Sequence, residues 1–214
     1  MNRAILSRIN LVLWAALVAV TLGGYLLIPP GTWLPVHWGT SGEPDAFWPR
    51  DIALPMPALI GLAVTMVFFA VGRFAPAKQI EASRHAWRTV VPALTSLFLT
   101  IQVGVVLVGL GYPDLMVRMI CVAIAVMLVL LGNIMPKMQP NGLAGIRLPW
   151  LRDPAVWQET QRLGGLLFVA GGVVLLACVA FLGEPPYLFA ALLASLLFPL
   201  VATTVYSYRR AHRR

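Results

Sequence analysis

The chain has 214 residues, 59% of them hydrophobic and 11% charged, with a formal net charge of +8. A soluble domain carries about 45–50% apolar and about 25% charged residues, and a core of this size cannot hide the surplus from water. Composition therefore excludes an ordinary soluble domain and makes lipid the solvent. The basic residues sit between hydrophobic runs and at the two ends, which excludes direct nucleic-acid binding and reads as a topology signal.

Crossing about 30 Å of hydrocarbon takes about 20 mainly apolar residues. Six stretches qualify: 10–28, 53–72, 89–111, 116–135, 164–183 and 187–206. The expected fold is all-α, a polytopic membrane helix bundle of about six transmembrane helices. The first span follows Arg3 and Arg8, like the basic start of a signal peptide. Its apolar run exceeds the usual cleaved length of about 7–15 residues and no A-x-A site follows, so it reads as a retained helix.

Between the first and second spans, residues 34–48 are rich in Trp, Pro and Gly. Ser41-Gly42 and Glu43-Pro44-Asp45 are turn chemistry, so this loop should fold back on itself. Trp33, Trp38, Phe47 and Trp48 suit the membrane interface. His37, Glu43 and Asp45 could converge on a metal ion or a peptide amine. Equally, His37 and Asp45 could bond each other or the backbone and lock the loop.

The third span carries Pro92 and a mid-span Gln102, where a helix-to-helix hydrogen bond is expected; Pro199 lies in the sixth. Tyr112, Pro113, Asp114 and Leu115 join the third span to the fourth. Glu184, Pro185 and Pro186 join the fifth to the sixth, so both pairs read as antiparallel hairpins. Arg118, in the first turn of the fourth span, can snorkel outward. After Asn133 a second unusual loop runs to Trp150. Asp153 followed by Pro154 then signals a short helix that feeds the fifth span. On that helix Trp157, Thr160 and Gly164 share a face, with Arg162 elsewhere. It could lie at the interface with Trp150 and Trp157 dipped into lipid, or form a docking surface for a cytosolic partner.

Fourteen of the sixteen Lys and Arg residues fall at the two ends and in the second-to-third and fourth-to-fifth connections, leaving Arg50 and Arg118 on the other side. Basic residues stay in the cytoplasm, so both ends are expected inside, N-in and C-in, with the 34–48 loop outside and the 133–165 loop inside. The chain divides into a first helical hairpin with its external loop, 1–72, and a four-helix part, 73–214. Small residues at Ala15, Ala19 and Gly23 and at Ala190 and Ala194 should let helices approach closely. Gly164, Gly165, Gly171 and Gly172 should thin one side of the fifth span.

Chemistry is sparse. There is no HExxH, GxSxG or P-loop, and His37, His85 and His212 are scattered. The two cysteines, Cys121 and Cys178, lie in apolar stretches with no disulfide or zinc spacing. No Asp, Glu or His lies mid-span to relay protons, and no internal repeat suggests an inverted-repeat transporter. The expectation is a protein that is not an enzyme and carries no cofactor. Two other readings are a small-molecule or ion permease with Gln102 and Asn133 lining a path, and a metal-assisted membrane enzyme using His37 and Asp45.

The two loops carry a family resemblance. Pro35 and His37, then Gly42 and Asp45, resemble the P-x-H and G-x-x-D of the DUF1648 domain. The second loop resembles the SdpI family. Asn133, Pro136, Lys137, Pro140, Asn141, Gly145, Ile146, Arg147, Pro149 and Trp150 match N-x-x-P-K-x-x-P-N-x-x-x-G-I-R-x-P-W; Val156, Trp157, Thr160, Arg162 and Gly165 match V-W-x-x-T-x-R-x-x-G. The resemblance implies a multi-pass protein of the bacterial inner membrane that confers immunity to a secreted killing peptide outside and draws an ArsR-like repressor to the membrane inside. It marks those loop residues as ligand- or partner-binding. The chain departs from the pattern at Gln161, where the family has His, at Leu148, where it has Thr, and near Leu151, where it has another Thr. These departures bear on whether signalling is retained.

Overall fold

The structure, a computed structural model, describes residues 2–212. Arg213 and Arg214, counted in the basic C-terminus, lie outside the described residues, as does the side chain of Arg3. In chain order the elements are α1 (Asn2–Ile5), α2 (Arg8–Leu27), β1 (Trp33–Trp38), β2 (Pro44–Pro49), α3 (Arg50–Ala53) and α4 (Met56–Phe74). After them come α5 (Ala77–Ala82), α6 (Arg84–Gly109), α7 (Leu115–Ile134), a 3₁₀ turn (Met135–Lys137), α8 (Pro154–Phe181) and α9 (Pro185–His212).

Six helical segments are long and apolar enough to cross a membrane: α2, α3 with α4, α6, α7 with its 3₁₀ turn, α8 and α9. Local chemistry sets several of their ends. Ser7 caps α2 by accepting the Asn10 N–H at 3.3 Å, and Asp153 caps α8 by accepting the Ala155 N–H at 2.7 Å. Pro154 follows as the first residue of α8, where its missing N–H costs nothing. The short helix expected after Asp153 is not separate from the fifth span; α8 is one helix of 28 residues. Gly164 and Gly165 do not break it, because each is pressed against a neighbouring segment.

The helical bundle is as expected, with one addition: β1–β2, a two-stranded antiparallel hairpin of six-residue strands. Its inward residues Leu34, Val36 and Trp38 alternate along β1 and join a cluster with Ile28, Leu54, Val106 and Met116. At the opposite end of the bundle Ala86, Met135, Met138 and Trp157 form a second cluster. The molecule therefore has a hairpin end and a loop end.

The most extensive packing joins α7 to α8, α8 to α9 and α6 to α7. Without a hydrophobic force between helices in lipid, close backbone approach supplies the attraction. Glycines provide it on two sides of α8 rather than one. Gly165 and Gly172 face the Gly132 and Ala125 carbonyls of α7, while Gly171 faces the Ser195 carbonyl of α9.

The alanine stripes do not serve this purpose. Ala15, Ala19, Ala190 and Ala194 are exposed, and nothing stands within 4 Å of where a Gly23 side chain would begin. The inward faces are Asn10, Leu17, Thr21 and Gly24 on α2, and Leu188, Ser195, Pro199, Thr203 and Ser207 on α9. Gln102 also departs from expectation. It is fully buried, but neither its Nε2 nor its Oε1 meets a hydrogen-bond partner among the described residues. The buried amide of α2, Asn10, is already engaged two turns away, where its Oδ1 accepts the Thr95 hydroxyl at 2.7 Å.

Candidate functional site

The hairpin pairs Trp33 with Pro49, Leu34 with Trp48 and Pro35 with Phe47, then His37 with Ala46 and Trp38 with Pro44. Val36 on β1 and Asp45 on β2 are thus extra residues, one irregularity on each side of His37. Such bulges re-aim side chains. Here they bring the His37 Nδ1 to 2.5 Å from the Asp45 Oδ1, with both side chains more than half exposed. The two residues therefore meet each other. Among the described residues no group of three or more His, Cys, Asp or Glu is placed to hold a metal ion.

The turn is closed by the Gly39 N–H donating to the Glu43 carbonyl and the Gly42 N–H donating to the Gly39 carbonyl, each at 2.9 Å. Gly42 has φ +82°, a left-handed conformation that favours glycine, and its face lies on Pro185 at the start of α9. A side chain on Gly42 would collide with that ring. The tip of the hairpin thus rests on the sixth span while its base rises from the first and second.

Arg50 fixes the base, a role its sequence position did not reveal. Its guanidinium is buried, donates to the Ile28 carbonyl and lies over the Tyr25 ring, and its Nε donates to Asp51 at 3.0 Å. Its backbone N–H closes the hairpin onto the Thr32 carbonyl at 2.8 Å. Trp33, Phe47 and Trp48 remain exposed. Below the hairpin lies an apolar chamber of about 400 Å³, reached by Pro35, His37 and Gly42 from above. Neither Gln102 nor Asn133 lines it.

At the loop end the family-like residues mostly hold one another. Asn133 accepts from Lys137 at 3.4 Å, and the Pro136 carbonyl accepts from the Gln158 amide at 2.6 Å. The Asn141 Oδ1 accepts the Leu143 and Ala144 N–H groups at 2.8 and 2.7 Å, an Asx turn. Gly145 has φ +91°. The next residue, Ile146, is gripped by Gln161, whose Oε1 accepts the Ile146 N–H at 3.0 Å while its Nε2 donates to the Ile146 carbonyl at 2.8 Å. Gln161 is fully buried. Gln161, where the resemblance leads one to expect His, thus makes a two-bond clasp on the loop, which an amide makes because donor and acceptor lie side by side.

Three further bonds hold the loop, one from α5, one within the loop and one to α9. Gln79 of α5 accepts the Gly142 N–H at 2.5 Å, and Arg147 donates to the Gly142 carbonyl. Trp150 donates to the Ser207 hydroxyl at 3.0 Å and meets the Tyr208 ring edge-on at 5.4 Å. Trp150 is half-buried against α9 and Trp157 is buried at 5% exposure, so neither dips freely into lipid as the interfacial reading expected. Protein fills the space beneath them. Trp157, Thr160 and Gly164 do share a buried face. Lys137, Pro140, Arg147, Pro149 and Arg162 are left exposed. Of the bracing residues, Gln79 and Gln158 carried no signal in the sequence, since amides become legible only when their distant partners are known.

The fold and its two built rims define a polytopic α-helical membrane protein whose distinctive residues lie at opposite ends of the bundle. Residues 137–207 match the model of the SdpI/YfhL protein family. Over 176 residues, 82% of each chain, the protein is 24% identical to the immunity protein SdpI of Bacillus subtilis strain 168. No solved structure matches it significantly. With the six apolar helices, these findings describe a multi-pass membrane protein of the bacterial inner membrane that is similar to the SdpI family.

Proposed function

We propose that this protein gives its host immunity to a secreted killing peptide, with the hairpin outside as the peptide-contacting surface. The observation that carries the reading is the hairpin itself. A connector between two spans needs no strands, no buried arginine at its base and no rest for its tip. Held in this way, it leaves Trp33, Phe47, Trp48 and the His37–Asp45 pair exposed. The similarity to a protein named for immunity supports the same function. The placement of fourteen of sixteen basic residues supports the orientation, with both ends and the 133–165 loop inside.

The finer part of the proposal is that the loop reports occupancy to a cytosolic regulator, an ArsR-like repressor, through exposed Lys137, Pro140, Arg147 and Arg162. A route exists in α7, which carries Met116 beneath the hairpin and leads into Met135 and Pro136 of the loop. Signalling needs a ligand with different affinity for two packings of the bundle. No enzymatic step is part of this reading.

The test is survival. A deletion strain exposed to coexpressed secreted peptide toxins should survive markedly less well than wild type. The wild-type gene should rescue it, and a His37→Ala, Asp45→Ala double variant of equal membrane abundance should not. Unchanged survival of the deletion strain overturns the proposal.

A further inference from the structure

The chamber below the hairpin has walls from four spans. Met56, Pro57 and Ile60 of α4 form one side, and Phe189 and Leu192 of α9 form the other. Between them, Phe98, Ile101 and Val105 of α6 and Val117, Ile120 and Cys121 of α7 form the back. α4 packs on α6, α6 on α7 and α7 on α9, whereas α4 and α9 do not form a packed pair. The enclosure is therefore a three-sided stall with its open side on the perimeter of the bundle.

The stall lies at the depth of hydrocarbon. Phe98 is eleven residues before Gly109, the end of α6, or about 16 Å at about 1.5 Å per residue. One leaflet contributes about 15 Å of hydrocarbon. The medium at the open side is thus lipid tail and not water. Beneath the lip at His37 the wall side chains are apolar, so a looped or extended peptide backbone placed there would lose its hydrogen bonds, at a cost of several kcal/mol per group. The contact of Gly42 with Pro185 straps the hairpin tip to α9 across the mouth. A helix, about 10–12 Å across with its side chains, would have to part that strap, whereas a hydrocarbon chain slips below it.

We infer that the chamber is a binding site for one acyl chain of a lipid in the hairpin-side leaflet, admitted sideways between α4 and α9. The hairpin caps the chain. This site is independent of the immunity reading, because it needs only the bundle, the strap and a bilayer.

The experiment uses the full chain in nanodiscs containing a trace of phosphatidylcholine spin-labelled on its acyl chain, read by electron paramagnetic resonance. Beyond the boundary lipids that line any helix bundle, wild type should hold about one further lipid per protein in a more strongly restricted component. Val117→Phe, Ile120→Phe and Leu192→Phe each fill the chamber from a different position. Those that keep the wild-type melting temperature should lose this component. Val122→Phe, on the groove between α6 and α7 that faces away from the chamber, should keep it. A more strongly restricted component that persists in the filled variants, or that Val122→Phe removes equally, overturns the inference. So does its absence in wild type, with the chamber then left to the apolar side chains of a partner.

Discussion

The two ends of the molecule are built by opposite means. The hairpin makes most of its hydrogen bonds to itself and touches the bundle at its base, through Arg50, along β1, through Leu34, Val36 and Trp38, and at its tip, through Gly42 on Pro185. The loop at the other end has no regular structure beyond one 3₁₀ turn, but α5, α8 and α9 each send a side chain to hold it. The contrast teaches what motif residues do. In the hairpin they leave the His37–Asp45 pair exposed, whereas in the loop Asn141, Gly145, Trp150 and Trp157 mainly keep the loop's own shape. Exposed residues of the loop are the better candidates for contact with a partner.

The sharpest break in this comparison is expected at the helix seam under the loop. Gly165→Leu would drive a side chain into the Gly132 carbonyl, 2.6 Å from where its first carbon would sit, and into Pro136. Backbone cannot yield as a side chain can, so a loss above about 3 kcal/mol is expected, seen as failure to accumulate a folded, monodisperse protein. Gln161→Leu comes next. It strands the N–H and carbonyl of Ile146, costing about 2–4 kcal/mol. Limited proteolysis should then cut within 138–152 while the spans stay intact, and unchanged protection would show that the clasp is dispensable.

At the hairpin end Arg50→Ala removes the donor to the Ile28 carbonyl, for about 1–3 kcal/mol. Hydrogen exchange should accelerate in β1 and β2 but not in the loop, which tests the independence of the two ends. The smallest effect belongs to His37→Ala. Its pair is more than half exposed, and such pairs contribute about 0–1 kcal/mol. The melting temperature should barely move, so a lost survival phenotype would reflect contact with a ligand and not unfolding.

The spans were legible because runs of apolar residues are a direct consequence of the solvent, and the helix start at Asp153-Pro154 because capping is local. The faces of those helices were not. Ala15, Ala19 and Gly23 follow a four-residue spacing, but lipid and a neighbouring helix are equally apolar, so spacing alone cannot say which one a stripe meets. The hairpin was half legible. Its turn residues were plain, but the alternation of Leu34, Val36 and Trp38 was masked by Pro35 and interrupted by the bulge. The meeting of His37 and Asp45 depended on that bulge. Gln79, Gln158 and Arg50 act across 63, 22 and 22 residues, beyond the reach of any local pattern.

The account rests on the hairpin and the loop facing opposite sides of the membrane. In a Cys121→Ala, Cys178→Ala background, single cysteines at Ser41 and at Gln139 can be probed with a membrane-impermeant maleimide on intact cells. The cysteine at 41 should label at once and the one at 139 only after the membrane is permeabilised. Labelling of both from the same side would contradict the orientation and, with it, the functions proposed for the two ends.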